Sequence, residues 1–190
     1  MGKTETGCIT HRRKVENIIC LGDSNTWGYD PRGYFGGRYD HPWPGILAAK
    51  LGCTVINRGE NGQQIPSVSV EFPDDTDILI VMLGTNDLLQ GATAEEVCLK
   101  MERFLETLER EKVLLLAPPS MRQGAWVNGQ NLIEASQSLA LHYRTLAQRM
   151  GIRFVDAGQW GLAMAYDGVH LTQESHCVFA ELLYKELIQA

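Results

Sequence analysis

The chain has 190 residues, enough for one domain with a sizeable core. Its apolar fraction of 44% and charged fraction of 21% are those of an ordinary globular protein, and its net charge of −6 disfavours nucleic acid and anionic membrane as partners. The five scattered cysteines include no C-x-x-C pair, which argues against a thiolate zinc site or a disulfide framework and for buried, reduced thiols.

The first sixteen residues are polar and mixed in charge and read as an extension to a domain spanning 17–190. Met1 to Thr6 fits the M-G-x-x-x-[ST] myristoylation pattern, which is short enough to arise by chance. No apolar run is long enough to span a membrane and no apolar signal core opens the chain, so a cytoplasmic protein is expected.

Apolar and helical segments then alternate. Asn17–Leu21 reads as a buried strand ending at Gly22, and Trp43–Leu51 as a helix with Pro42 and Pro44 near its start and Gly52 just past its end. Cys53–Asn57 is a second strand, and Asp77–Leu83, apolar on both faces, is a third and central one. Thr93-x-x-Glu96 forms a capping box, after which Val97, Met101, Phe104, Leu105 and Leu108 recur at helical spacing. Lys112–Ala117 is a fourth strand, stopped by Pro118-Pro119. Asn131–Met150 is a long helix with Leu132, Leu139, Tyr143 and Leu146 on one side, ended by Gly151. Ile152–Val155 is a short fifth strand, and Thr172 can cap a last helix running nearly to Ala190. The stretch between the second and third strands is too irregular to assign. Such alternation implies an α/β protein with a mostly parallel sheet and helices on both faces.

In open α/β sheets, ligands bind outside the carboxyl ends of the strands. The segment after each strand is therefore the place to look for chemistry. Gly22-Asp23-Ser24-Asn25 comes after the first strand and Asn57-Arg58-Gly59-Glu60-Asn61-Gly62 after the second. Gly84-Thr85-Asn86-Asp87 comes after the third, and Asp167-Gly168-Val169-His170 lies past a loop after the fifth. These segments supply the groups that acyl transfer needs. A serine hydroxyl is a poor nucleophile until a base takes its proton, and His170 can be that base for Ser24. Asp167, three residues earlier and across a glycine, can hold the imidazole in the useful tautomer. The backbone N–H of Ser24, that of Gly59 and the side-chain amide of Asn86 are candidate oxyanion donors. Asp23 and Asp87 read as structural hydrogen-bond acceptors.

Gly22-Asp23-Ser24, Gly59, Gly84-Thr85-Asn86-Asp87 and Asp167-x-x-His170 resemble, in order, the four sequence blocks of the SGNH (GDSL-like) hydrolases, over residues 18 to 171. The resemblance implies a three-layer α/β/α sandwich of flavodoxin-like type around a five-stranded sheet. It implies Ser24 as nucleophile, Asp167 and His170 completing a triad, Gly59 and Asn86 as oxyanion donors, and no metal or organic cofactor. Gly22–Tyr29, Arg38 with Trp43-Pro44-Gly45, and Ala117-Pro118-Pro119 are similar to the arylesterase and acyltransferase branch. Asn25 stands where the GDSL spelling has leucine, a position of little expected consequence for the chemistry. The short 62–77 segment leaves a homo-oligomer open.

The activity expected is hydrolysis of a small ester carrying a short, acetyl-like acyl group. The alternatives are a thioesterase or lysophospholipase with the same triad, or a non-catalytic flavodoxin-like binding module. No P-loop or G-x-G-x-x-G comes after the first strand to support that module. Asp167 and His170 alone are too few ligands for a metal site. His41 and His176 read as surface or satisfied polar groups. Trp27, Trp126 and Trp160 are candidate substrate walls, the latter two on loops that emerge at the active edge.

Overall fold

The computed structural model describes residues 15–33 and 35–189. The myristoylation pattern, Cys8 and His11 lie outside these residues, as does most of the N-terminal extension.

β1 (Asn17–Gly22) starts where Asp77 Oδ2 accepts the N–H groups of Glu16 and Asn17, at 2.8 and 3.0 Å. A single helical turn, α1 (Ser24–Trp27), comes next, and then a two-stranded antiparallel ribbon of β2 (Tyr29–Asp30) and β3 (Gly37–Arg38). α2 (Trp43–Leu51) has proline in its first turn and ends on Gly52 at φ 62°. β4 (Thr54–Gly59), β5 (Ile78–Met82), the short α3 (Thr85–Leu89) and α4 (Ala94–Leu105) are the next elements. α4 opens on the expected capping box, with Thr93 and Glu96 each satisfying the other's backbone N–H. β6 (Val113–Ala117), α5 (Gln130–Met150), β7 (Arg153–Asp156) and α6 (Gln173–Gln189) complete the chain, Thr172 Oγ1 accepting the Ser175 N–H at 3.2 Å.

The main sheet has five strands in the order β4-β1-β5-β6-β7, all parallel. Alternate side chains of its central strands feed two cores. Ile19, Leu21, Leu79, Val81 and Leu115 face α4 and α5, while Ile18, Cys20, Ile80, Met82 and Leu116 face α2 and α6. β6 is buried at every position, and each such leucine contributes roughly 1.5–3 kcal/mol of transfer free energy. The fold is thus the three-layer α/β/α sandwich, with flavodoxin-like strand order, that the sequence implied.

The differences are local. β4 ends at Gly59 rather than Asn57, because its pairing with β1 continues to Gly22↔Gly59. α4 stops at Leu105, leaving Leu108 beside the core instead of on the helix. The β2–β3 ribbon and the turns α1 and α3 are too short to show a period in sequence. Of the described cysteines, Cys20 is buried, Cys53 and Cys98 are half-buried, and Cys177 is exposed where a buried thiol was expected. Among the described residues no helix is long and apolar enough to cross a membrane, and no group of three metal-ligating side chains comes together.

Candidate active site

β1 lies between β4 and β5, so the chain leaves β1 toward β4 and leaves β5 the other way toward β6, and the carboxyl ends of β1 and β5 bound the switch point of the sheet. Ser24 comes just after one of these strands and Asn86 just after the other. Gly22 is level with Gly59 on one side and Met82 on the other, which brings the three succeeding loops to one height. Asp23 turns the chain out of β1: its Oδ1 accepts the Asn25 N–H at 2.9 Å, and Ser24 becomes the first residue of α1. Gly59 is glycine because a Cβ there would strike the backbone of Trp27 and Thr26 as α1 passes over the end of β4.

Asp167 and His170 sit on a tight return before α6, closed by Ala165 N–H to His170 C=O at 2.7 Å. Gly168 has φ 82°, and a Cβ on it would strike the Arg122 carbonyl; the 122–126 loop is hydrogen-bonded onto this return through Arg122, Ala125 and Trp126 N–H groups. Asp167 Oδ1 accepts the N–H groups of Val169 (2.9 Å) and His170 (3.0 Å), while Oδ2 lies 2.6 Å from His170 Nδ1. Nε2 of the same ring lies 2.9 Å from Ser24 Oγ. Ser24 is 6% exposed, His170 3% and Asp167 0%, so bulk water does not screen the chain of contacts. Burial alone would raise the Asp167 carboxyl, but the bonds from the His170 ring and from the His170 and Val169 amides hold it below the ordinary value. The imidazole is flanked by Tyr29 (centroids 4.6 Å apart) and by Trp126, edge-on at 5.3 Å. An ionised carboxylate, an oriented imidazole and a hydroxyl in line can move a proton off the hydroxyl.

The sequence matches the model of the GDSL-like lipase/acylhydrolase family over residues 20–177. The chain belongs to this family. It is a carboxylic ester hydrolase. Among solved structures the acylhydrolase is similar to the aryl esterase of M. smegmatis, with 25% identity, TM-score 0.79 and coverage of 92% of this chain and 99% of the other. It is also similar to a carbohydrate acetylesterase family member from Sinorhizobium meliloti (26%, TM-score 0.78, 92% and 98%) and to Est24, a carbohydrate acetylesterase of the same organism (25%, TM-score 0.77, 92% and 99%). No curated protein matches its sequence.

Just past β5, Asn86 Nδ2 donates to the Gln63 carbonyl at 3.0 Å, which orients the amide and leaves its second N–H free. The Gly59 N–H is given to Asn57 Oδ1 at 2.9 Å, and Asn57 Nδ2 bonds the Thr26 carbonyl at 2.8 Å, so this N–H is already engaged. Gly62, at φ 77°, has no atom within 4 Å of where a Cβ would stand, and its N–H has no partner among the described residues. Sequence reading placed Gly62 in the same segment but gave it no role.

Of the other expected residues, Trp27 stacks under the Arg38 guanidinium (5.2 Å) with its ring 6.5 Å from Tyr29. Trp126 is beside His170 and 51% exposed. Trp160 packs edge-on against Phe179 at 4.9 Å, beside the α2/α6 core of the acylhydrolase. Asp87 is structural, though not locally: it accepts from Ile65 N–H (3.1 Å) and Lys100 Nζ (2.9 Å) and so pins the 63–65 segment next to Asn86. His176 is neither exposed nor fully satisfied. It is buried, with Nδ1 accepting the Trp43 N–H at 3.3 Å and Nε2 unpartnered. Asn25, set aside in the sequence as inconsequential, is buried and bonded to both neighbours of His170.

Proposed function

We propose that the protein hydrolyses esters of short acyl groups through an acyl-enzyme on Ser24. One observation carries the reading: Ser24 Oγ, His170 Nε2, His170 Nδ1 and Asp167 Oδ2 form a continuous chain with spacings of 2.9 and 2.6 Å. His170, with its proton on Nδ1 toward Asp167, takes the Ser24 proton as Oγ attacks the acyl carbon. The tetrahedral oxyanion receives hydrogen bonds from the Ser24 N–H, the free N–H of Asn86 and a third donor in the 59–62 segment. Gly59 can serve only if Asn57 lets go of it, whereas Gly62 is unencumbered and one residue from the carbonyl that holds Asn86. His170 then returns its proton to the leaving alcohol, and water enters by the same base to release the acid.

The short-acyl preference is supported by the likeness to an aryl esterase and to carbohydrate acetylesterases. The aromatic ring of Trp126 beside the base offers a flat face to an aryl or sugar alcohol. A fluorophosphonate is expected to label Ser24, with labelling abolished in Ser24→Ala and weakened in His170→Ala. A folded wild-type protein that stays unlabelled would sink the mechanism. p-Nitrophenyl esters of increasing length test the substrate class: the rate is expected to fall from acetyl and butyryl upward, and a maximum at C8 or beyond would turn the reading to a thioesterase or lysophospholipase.

A further inference from the structure

The hydrogen bonds that hold His170 to Asp167 lie within one turn, between residues 167 and 170, and fix the imidazole relative to its own loop only. Nothing in them sets the distance from Nε2 to Ser24. Asn25 supplies that constraint. Its Nδ2 donates to the Val169 carbonyl at 3.0 Å and its Oδ1 accepts the Leu171 N–H at 2.8 Å, so one side-chain amide grips the peptide groups on both sides of His170. Asn25 is 3% exposed and is the residue next to the Ser24 backbone in α1, and its own N–H is capped by Asp23. Among the described residues, three hydrogen bonds join the 165–172 segment to α1: the Ser24–His170 contact and these two. The pattern is that of one rung of a β-ladder made by an amide side chain. Leucine has nearly the same size and can make neither bond.

We propose that Asn25 is a positioning residue that sets the Ser24–His170 spacing by clamping the backbone at 169 and 171. The inference rests on the reading of Ser24 as nucleophile and His170 as base. Reacting groups displaced by an ångström typically lose on the order of 100-fold in rate. Both ends of the Asn25 side-chain amide are spent on the backbone at 169 and 171, so its loss is expected to act on turnover rather than on substrate binding.

The test is active-site titration with a fluorophosphonate, combined with kcat and KM on p-nitrophenyl acetate for wild type, Asn25→Leu, Asn25→Asp and Ser24→Ala. Turnover per titrated site in Asn25→Leu is expected to fall about 100-fold, with KM within a few-fold of wild type. A purely structural role would instead lower the number of titratable sites at unchanged turnover per site. Asn25→Asp gives a readout that does not depend on the leucine variant folding. An ionised carboxylate keeps the bond from Leu171 but sets an oxygen against the Val169 carbonyl, whereas a protonated carboxyl presents one donor and one acceptor as the amide does. The introduced group stands in the same turn as Asp23 and beside Asp167 and His170, which are present in both proteins and cancel in a ratio. The activity of Asn25→Asp relative to wild type is therefore expected to rise as pH falls. Per-site turnover in Asn25→Leu within twofold of wild type, or an Asp-variant ratio that is flat with pH, overturns the inference. If Ser24→Ala is inactive in the same series, the triad reading survives that outcome; an active Ser24→Ala would overturn the triad reading itself.

Discussion

On the imidazole side of Ser24, both nitrogens of His170, both carboxylate oxygens of Asp167 and the peptide groups at Val169 and Leu171 have partners within 3.0 Å. On the opposite side the donors are held by groups that are themselves side chains or loop carbonyls: Asn86 by the Gln63 carbonyl, the Gly59 N–H by Asn57. One half of the candidate site is thus fully hydrogen-bonded as it stands. The other is oriented by neighbours that a substrate oxygen can supplement or displace. On the proposed reading, the difference matches the task of each half. A proton relay fails if any member is misplaced, whereas an oxyanion can be shared among several donors.

The largest effects are therefore expected on the imidazole side. Ser24→Ala and His170→Ala should each cost on the order of 10⁴-fold or more in kcat on p-nitrophenyl acetate, and combining them should cost little beyond either alone. Asp167→Asn should lose about 10⁴-fold, because an amide N–H can donate to His170 Nδ1 and so favours the tautomer with the ring proton on Nε2, which then cannot accept from Ser24. A loss below tenfold for Asp167→Asn would mean that the 2.6 Å contact orients nothing, and the contrast between the halves would collapse. Asn86→Ala should cost about 10²–10³-fold in kcat with KM nearly unchanged, since one donor among several is removed. A loss as large as that of Ser24→Ala would show that the oxyanion side has no redundancy.

The same division separates the features legible in the sequence from those that were not. The strands β1, β5 and β6 announced themselves as apolar runs, and Ser24, Asn86, Asp167 and His170 could be found from the segments just past the strand ends. Their meeting depends only on a parallel sheet with level strand ends, which alternation of elements implies. The Asn25 clamp, the capture of the Gly59 N–H and the placement of Tyr29 on His170 depend on side-chain directions between segments as far as 146 residues apart, and periodicity carries no trace of those. Trp160 shows the limit from the other side: it reads as a loop residue, yet it ends a short 3-10 turn after β7 and its ring packs edge-on against Phe179 of α6. The one available hint for Asn25 was chemical, an amide next to the nucleophile where leucine is usual.

Asp23 lies behind both halves, at the cap of α1, with Oδ2 buried and unpartnered. Burial pushes its carboxyl up to about 6, against the pull of the Asn25 amide and of His170. Below pH 4 it is neutral in the folded and unfolded chain alike. Between about 4 and 6 the unfolded chain gives up the proton and the folded chain keeps it, so stability falls as pH rises through that window, by about 3 kcal/mol for two units. Asp23→Asn keeps the cap acceptor and removes the charge. Its stability relative to wild type should grow by about that amount between pH 4 and pH 8, measured by chemical unfolding. His176, lowered to about 4 by burial and by His170, opposes this: it favours the folded state above its ordinary value and loses that contribution as pH falls toward 4. The wild-type curve should therefore be flatter than that of Asp23→Asn, and a pH-independent difference for Asp23→Asn would remove Asp23 as a buried titrating group.

Trp126 is the exposed member of an otherwise buried half, and its removal should have the smallest effect. An edge-on aromatic pair is worth roughly 0.5–1.5 kcal/mol, so Trp126→Ala should lower kcat/KM by about tenfold or less. The distribution of that loss is more informative than its size. If the ring only supports the imidazole, aryl and ethyl acetates should lose equally and in kcat, because His170 serves both. If the ring also receives the leaving alcohol, aryl esters should lose more than ethyl esters, and in KM. The half-exposed indole face favours the second outcome, since a ring serving only as packing would be covered as Tyr143 and Trp43 are. Equal losses confined to kcat would place Trp126 among the supports of His170 and move substrate recognition to the oxyanion side, where the 62–65 segment would then be the part that chooses the ester.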